Sequence, residues 1–299
     1  RMNNRYKEYD MSYQIFTDVT ADLCPEMLAG LPPVAFIPME VTVGEEPCTY
    51  GPGGELSVER FYAAQRSGLF ATTSQINPAV YREAFEPCLE RGEDVLYLCF
   101  SSGLSGTIQG AKLCMDELRE AYPERKLLCV DTLCASVGEG LLVRDAARKQ
   151  AEGLSLEELA AWAEESRLHV CHWFTVDEFD HLRHGGRVSG LAAAAGTLLQ
   201  IKPLLRVDNE GKLEVMEKPR GRRRATESQL ARVEKTRRAE LGRTMVIGHG
   251  GCPEDGKLLE EAVKRRFPDA ETFVAEIGPI IGAHTGPGML AVVYWGSER

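Results

Sequence analysis

The stretch Val95-Leu96-Tyr97-Leu98-Cys99-Phe100, followed by Ser101-Ser102-Gly103-Leu104-Ser105-Gly106, decides the fold class. Its first six residues form a continuous apolar run, which predicts a strand buried on both faces. The serine- and glycine-rich loop then leads into a predicted helix. Similar strand signals at Tyr13–Thr17, Val34–Val43 and Lys126–Val130 alternate with helix signals. This alternation predicts a parallel α/β sheet in the first half of the chain.

The second half of the chain carries hairpin signals instead. Two strand-like segments, Lys202–Val207 and Lys212–Lys218, flank Asp208-Asn209-Glu210-Gly211, a sequence typical of a tight turn. Further strand signals lie at Met245–Ile247 and Met289–Trp295. We therefore expect a mixed α/β domain with a partly antiparallel sheet in this half.

The predicted organisation is a two-domain α/β protein. The N-terminal parallel-sheet domain is expected over residues 11–153 and the C-terminal mixed domain over residues 154–299, with Gly153 at the boundary. Residues 1–10 are polar and charged, and we interpret them as a disordered lead or an engineered remnant.

Composition excludes several classes of function. The net charge of −10 disfavours a general nucleic-acid binder, which needs a basic surface. The nine cysteines include no C-x-x-C pair, so a reducing cytoplasm is the expected compartment. The chain has no run of about 18 uncharged apolar residues, so no stable membrane insertion is expected.

Hydroxyl side chains and one histidine form the candidate binding site. Thr73-Ser74 and Ser101-Ser102 follow strand signals and precede helices, where free N–H groups favour an anion. His284 lies in a stretch with three glycines and a proline, Gly282–Gly288, which predicts a loop close to a ligand. Such a set suits a carboxylate or a phosphate better than a metal. The alternative is that the serines only cap helices.

Metal binding is not expected, nor is a cofactor. His169 and Cys171 resemble zinc ligands, but strand alternation places them on the face opposite His172. The paired carboxylates Asp18 and Asp22 are of a type that binds a cation or acts as acid and base, but we interpret them as capping the turn after the first strand and orienting neighbouring hydroxyls.

A basic cluster follows the hairpin. It consists of Lys218, Arg220 and the run Arg222–Arg224, and Arg187, which precedes the hairpin, is similar; these residues are local exceptions on an acidic protein. They are expected to face solvent and to dock an acidic partner or a phosphate.

Taken together, the loops resemble the DegV family of fatty-acid-binding proteins, also called FakB. The matching segments run in the family's order and are Thr17–Asp22, Thr73–Gln75, Ser101–Gln109, Gly185–Ser189, Ile201–Pro203, Lys218–Arg220 and Gly282–Gly288. The resemblance implies a long-chain fatty acid buried between two domains, its carboxylate near Thr73, Ser74, Ser101, Ser102 and His284.

The resemblance also implies a partner. A separate ATP-dependent fatty-acid kinase would phosphorylate the bound acid to an acyl phosphate for phospholipid synthesis. This chain would then present the substrate and carry the product, and would not itself be an enzyme.

Two other classes of function stay open at this point. A serine hydrolase or acyltransferase would use Ser102, His284 and Asp18, although no G-x-S-x-G motif is present. A regulatory protein would bind nucleic acid through Arg220–Arg224, against the acidic balance of the chain.

Overall fold

The computed structural model describes residues 12–188, 200–297 and 299. The predicted polar lead, residues 1–10, lies outside the described residues. The strands of the first half are β1 (Tyr13–Asp18), β2 (Val34–Ile37), β3 (Met39–Val43), β4 (Glu46–Tyr50), β5 (Ala71–Thr73), β6 (Asp94–Cys99) and β7 (Leu127–Asp131). The helices of this half are α1 (Val58–Arg66), α2 (Pro78–Glu90), α3 (Thr107–Ala121), α4 (Val137–Ala151) and α5 (Leu156–Ser166).

A parallel sheet forms the centre of the first domain. Its strand order is β2-β1-β6-β7, and every pair in it is parallel. Residues 95–99 of β6 are fully buried because helices cover both faces of the sheet. A small antiparallel sheet, ordered β4-β3-β5, carries Thr73 at the end of β5.

The second half folds around a mixed sheet. Its elements are β8 (Val170–Thr175), α6 (Asp180–Gly185), β9 (Leu204–Val207), β10 (Leu213–Glu217), α7 (Arg222–Thr236), β11 (Thr244–His249), α8 (Pro253–Arg266), β12 (Glu271–Glu276), α9 (Pro279–Thr285) and β13 (Leu290–Trp295). The strand order is β10-β9-β8-β13-β11-β12, with one parallel pair, β11 and β12, at the edge. The predicted fold class is therefore confirmed.

Two helices connect the cores of the two halves. Residues Val137–Ala147 of α4 are buried without interruption. Leu141 and Leu142 pack with the second half, whereas Val143 and Ala146 pack with β1 and β6. Helix α9 likewise places Ile280 in the first core and Ile281 in the second.

The packing of α5 bears on the domain boundary. Leu156, Leu159 and Ala163 of α5 belong to the cluster built on Leu96 and Leu98 of the parallel sheet. By packing, this helix belongs to the first domain, and the boundary between residues 153 and 154 stays a prediction.

The loop predicted around His284 is instead largely a helix. Pro279 occupies the first turn of α9, where its missing N–H costs nothing, and Gly286 ends the helix with φ +74°. His284 therefore lies in the last helical turn rather than on a loop.

Candidate functional site

A cavity lies where the two domains meet. It encloses about 850 Å³, including the open space at its mouth. Most of its lining is apolar and comes from both halves of the chain, with Phe100, Leu104 and Val137 on one side and Phe174, Val207 and Leu213 on the other. A lining of this kind suits an apolar ligand.

One part of the cavity wall is polar. The residues that form it are Thr73, Ser74, Gln75, Ser105, Arg187 and His284. Three of the five predicted carboxylate residues, Thr73, Ser74 and His284, therefore line the same cavity. Arg187 is exposed, so it stands at the mouth.

His284 and Thr73 form the centre of this polar wall. The Nε2 atom of His284 lies 2.8 Å from the hydroxyl oxygen of Thr73, while Nδ1 is buried and has no hydrogen-bond partner. Burial, followed by the positive charge of Arg187 and the nearby His184, lowers the pKa of His284 to about 4. At neutral pH the imidazole is therefore uncharged.

The tautomer of His284 follows from these contacts. A proton on Nδ1 would be a buried donor without an acceptor, which is costly, so we assign the proton to Nε2. Nε2–H then donates to Thr73, and the hydroxyl hydrogen of Thr73 is left to donate into the cavity.

Ser105 places a second hydroxyl group in the cavity lining. Its oxygen accepts the N–H of Thr107 at 3.2 Å and lies 2.8 Å from the Thr107 hydroxyl. If the Thr107 hydroxyl donates to the Ser105 oxygen, both lone pairs of that oxygen are occupied. The hydroxyl hydrogen of Ser105 is then free to donate to another acceptor. The side chain of Gln75 packs directly against Gly106, which brings the Thr73–Gln75 segment next to Ser105.

The structure places Ser101 and Ser102 outside the cavity lining. Ser101 is fully buried and donates to the carbonyl of Gly211 at 2.7 Å in the β9–β10 turn. Ser102 is exposed, and its backbone N–H donates to Asp131. The loop turns immediately after β6, so these two serines face the hairpin and the solvent. The assignment of a carboxylate to them stays a prediction.

A buried carboxyl cluster lies behind the cavity wall. Asp18 caps the turn at residues 19–21, as expected, and accepts hydrogen bonds from the Thr20 hydroxyl and N–H, the Tyr97 hydroxyl and the Phe100 N–H. The Thr20 hydroxyl lies 2.8 Å from Glu139 as well. Burial, followed by the charge of Asp18, raises the pKa of Glu139 well above its usual range. Since one hydroxyl hydrogen cannot serve both carboxyls, Glu139 carries a proton.

Asp22 joins three elements around the same wall. Its carboxyl accepts from the Ser136 hydroxyl at 2.6 Å and from the Gly278 N–H at 2.8 Å, at the starts of α4 and α9. Burial raises the pKa of Asp22 to about 7. The side chains of Thr20 and Ser136 line the cavity, so these carboxyls orient cavity hydroxyls rather than contact a ligand.

The arrangement does not assemble a hydrolase triad. Asp18 is used by Thr20, Tyr97 and Phe100, and its hydrogen bonds do not include His284. Ser102 lies outside the cavity that His284 lines. Within residues 12–188, 200–297 and 299, no cluster of three or more His, Cys, Asp or Glu side chains suits a metal ion.

The basic residues differ in their surroundings. Lys218 and Arg220 are exposed, as are Arg223 and Arg224. Arg222 departs from the expectation, because it begins α7 and is tied to Asp177 and Asp255, each at 3.2 Å. A docking role for Arg187, Lys218 and Arg220 stays a prediction.

Sequence reasoning missed Ser105, Gln75 and Ser136 as cavity residues. Ser105 lies in the loop Ser101–Gly106, and Gly106, which caps the start of α3, is the sequence signal that places Ser105 directly before the helix. The role of Ser136 depends on a contact with Asp22, which is distant in sequence, so its local pattern carries no signal.

Comparison with known proteins identifies the family. The family profile described as "Uncharacterised protein, DegV family" matches residues 12–296. The chain belongs to the DegV family. A DegV domain-containing protein of Clostridium perfringens is 38% identical over 287 residues, which cover 96% of this chain and 98% of the relative.

Solved DegV structures share the whole fold. One from Thermus thermophilus, described by its fatty-acid binding, is 32% identical, with a TM-score of 0.82 and coverage of 96% of this chain and 100% of that one. The fatty acid kinase B3 protein of Streptococcus pneumoniae, loaded with linoleic acid, has a TM-score of 0.82 and 20% identity, with coverage of 96% and 100%. At that identity the likeness concerns the fold alone. Among the residues that the structure describes, no helix is long and apolar enough to cross a membrane.

Proposed function

We propose that this DegV protein binds a long-chain fatty acid, with the acyl chain in the cavity and the carboxylate at Thr73, Ser74, Ser105 and His284. The observation that carries the proposal is an apolar cavity whose polar wall presents hydroxyl donors beside a neutral imidazole. The fatty-acid binding described for the Thermus thermophilus relative supports it.

The two parts of the site have different tasks. Burial of the acyl chain supplies most of the affinity, at about 0.8 kcal/mol per CH₂ group. The hydroxyl donors fix the position of the carboxylate through charge-assisted hydrogen bonds. Because these donors are neutral, the carboxylate keeps its negative charge and an oxygen that can attack a phosphoryl donor.

We further propose that the protein acts as a carrier for a separate fatty-acid kinase in the cytoplasm. The kinase would transfer the terminal phosphoryl group of ATP to a carboxylate oxygen, which releases ADP and leaves an acyl phosphate on this chain for phospholipid synthesis. The exposed Arg187, Lys218 and Arg220 would meet the kinase, since a basic patch on an acidic protein raises the rate of association and orients the partner.

Lipid binding is tested first without the kinase. Mass spectrometry of protein purified from a bacterial host is expected to show a long-chain fatty acid near one per chain. After lipid removal, the matching fatty alcohol should bind about tenfold more weakly than the acid, because it cannot form charge-assisted hydrogen bonds. Absence of any copurified acid, together with no binding on reloading, would refute the proposal.

The carrier role is tested with a bacterial fatty-acid kinase, ATP and loaded protein. Replacing Lys218 and Arg220 together by Ala should leave lipid affinity unchanged, since neither side chain lines the cavity, and should lower the rate of acyl-phosphate formation. The wild-type rate should also fall with added salt. Arg265→Ala, an exposed change near the end of α8, is the matched control. A double variant that is phosphorylated at the wild-type rate would contradict the docking assignment.

A further inference from the structure

Helices α6 and α9 interlock through two glycines and two histidines. The ring of His284, on α9, lies against Gly185, the last residue of α6. Reciprocally, the ring of His181, on α6, lies against Gly286, which ends α9. Each helix therefore presents a histidine to a glycine of the other. No side-chain carbon stands between ring and backbone at either contact.

The neighbouring glycines 185 and 186 are required for different reasons. Gly186 has a φ of +66°, which disfavours other residues, but a Cβ there would meet nothing within 4 Å. The φ of Gly185 lies outside the left-handed region, so its backbone would accept alanine. A Cβ at Gly185 would overlap Nδ1 of His284 and stand 3.1 Å from its Cγ. Gly185 is thus needed for space, and Gly186 for backbone conformation.

We propose that Gly185 is a positioning residue for the carboxylate site, since it admits the His284 ring at the depth and angle from which Nε2 meets Thr73. The inference rests on the proposed function for its effect on lipid binding. A methyl group at position 185 would occupy the space of Nδ1, so the His284 ring would have to turn. The 2.8 Å contact with Thr73 would then open, and the Thr73 hydroxyl would lose the Nε2–H donor that leaves its own hydrogen directed at the ligand.

Further contacts hold α6 and α9 in place beside the His284 ring. Phe70 stacks on His184 with ring centroids 4.7 Å apart and contacts His181 at 5.0 Å. Gln65 donates to the carbonyl of Gly282 at 2.9 Å and lies 3.4 Å from Nδ1 of His181. Both helices are therefore held on this side, which restricts how far they can separate when a methyl group is added at position 185.

A double-mutant cycle separates positioning from loss of fold. Fatty-acid affinity is measured for the wild type, Gly185→Ala, His284→Ala and the double variant, using displacement of a fluorescent fatty acid from delipidated protein. Gly185→Ala is expected to weaken binding about tenfold in the wild type and less than twofold in the His284→Ala background. An equal loss in both backgrounds would overturn the inference.

Gly186→Ala is the matched control. Gly186→Ala should lower the melting temperature through backbone strain and leave lipid affinity within twofold of the wild type. Gly185→Ala should weaken lipid affinity more than Gly186→Ala does. An affinity loss in Gly186→Ala as large as in Gly185→Ala would also count against positioning.

A measurement on empty protein keeps the inference separate from the proposed function. Imidazole ¹⁵N spectra of the wild type should show His284 protonated on Nε2 and resistant to protonation down to about pH 4. In Gly185→Ala these signals should shift and the pKa should rise, since the ring leaves its buried position. Unchanged His284 signals in Gly185→Ala would refute positioning, while a wild type that binds no fatty acid would refute the proposed function alone.

Discussion

Replacing Thr73 by valine removes one hydroxyl from the polar wall and retains the shape and strand preference of the residue. Under the proposed function, this hydroxyl donates to the ligand carboxylate while its oxygen accepts from Nε2 of His284 at 2.8 Å. The lost bond to a charged group corresponds to about 1.5–3 kcal/mol, or roughly a ten- to hundredfold increase in Kd. The unpaired Nε2–H exists in both free and bound protein, so its cost largely cancels in the affinity.

Thr72 is the matched control, because it is adjacent on β5, exposed, and on the opposite face of the strand. Thr72→Val should leave the Kd unchanged in a fluorescent fatty-acid displacement assay. The fatty alcohol should lose less affinity than the acid on Thr73→Val, since it forms no charge-assisted bond. A Thr73→Val protein that binds the acid like the wild type, or equal losses in both variants, would refute this description of the site.

Three further outcomes are expected. The folded state holds the Asp22 proton up to about pH 7. The free energy of unfolding relative to Asp22→Asn should therefore be greatest near pH 4 and should fall as the pH rises to 7. Urea unfolding should show a decrease of at most about 1.4 kcal/mol per pH unit. Asp18→Asn should lower the free energy of unfolding by about 2–4 kcal/mol, because an amide cannot accept from all four donors. Glu139→Gln should lower it by less than about 1 kcal/mol, because glutamine reproduces a protonated carboxyl. The guanidinium of Arg299 donates to the carbonyls of residues 133 and 208, and lysine lacks its planar fork. Arg299→Lys should therefore accelerate hydrogen exchange in the β9–β10 hairpin about tenfold. Unchanged exchange would contradict the idea that Arg299 anchors the hairpin.

Local signals predicted much of the fold because they act within a few residues. The side chain of Asn77 caps α2 at the N–H of Ala79, with Pro78 in the first turn, as their sequence indicates. Gly211, with φ +73°, closes the predicted turn between β9 and β10. The alternation of buried strands and helices was sufficient for the parallel sheet.

Contacts between distant residues decided what the sequence did not show. Helix α9 has seven residues and includes Gly282, so its local propensity is weak, and packing on α1, β3 and β5 stabilises it. In the loop after β6, Ser105 lines the cavity, whereas the hydroxyl of Ser101 is engaged by the carbonyl of Gly211, 110 residues later. In the same way, ion pairs with the distant Asp177 and Asp255 engage Arg222, so it is not part of the exposed basic run.

The uninterrupted burial of α4 has a consequence for how the molecule melts. A helix whose opposite sides complete two cores cannot keep its structure when either core is lost. The two domains are therefore expected to unfold in one calorimetric transition, with equal van't Hoff and calorimetric enthalpies. Separation of the domains would break both cores, so a ligand is expected to enter through the mouth of the cavity and not by opening of the two domains.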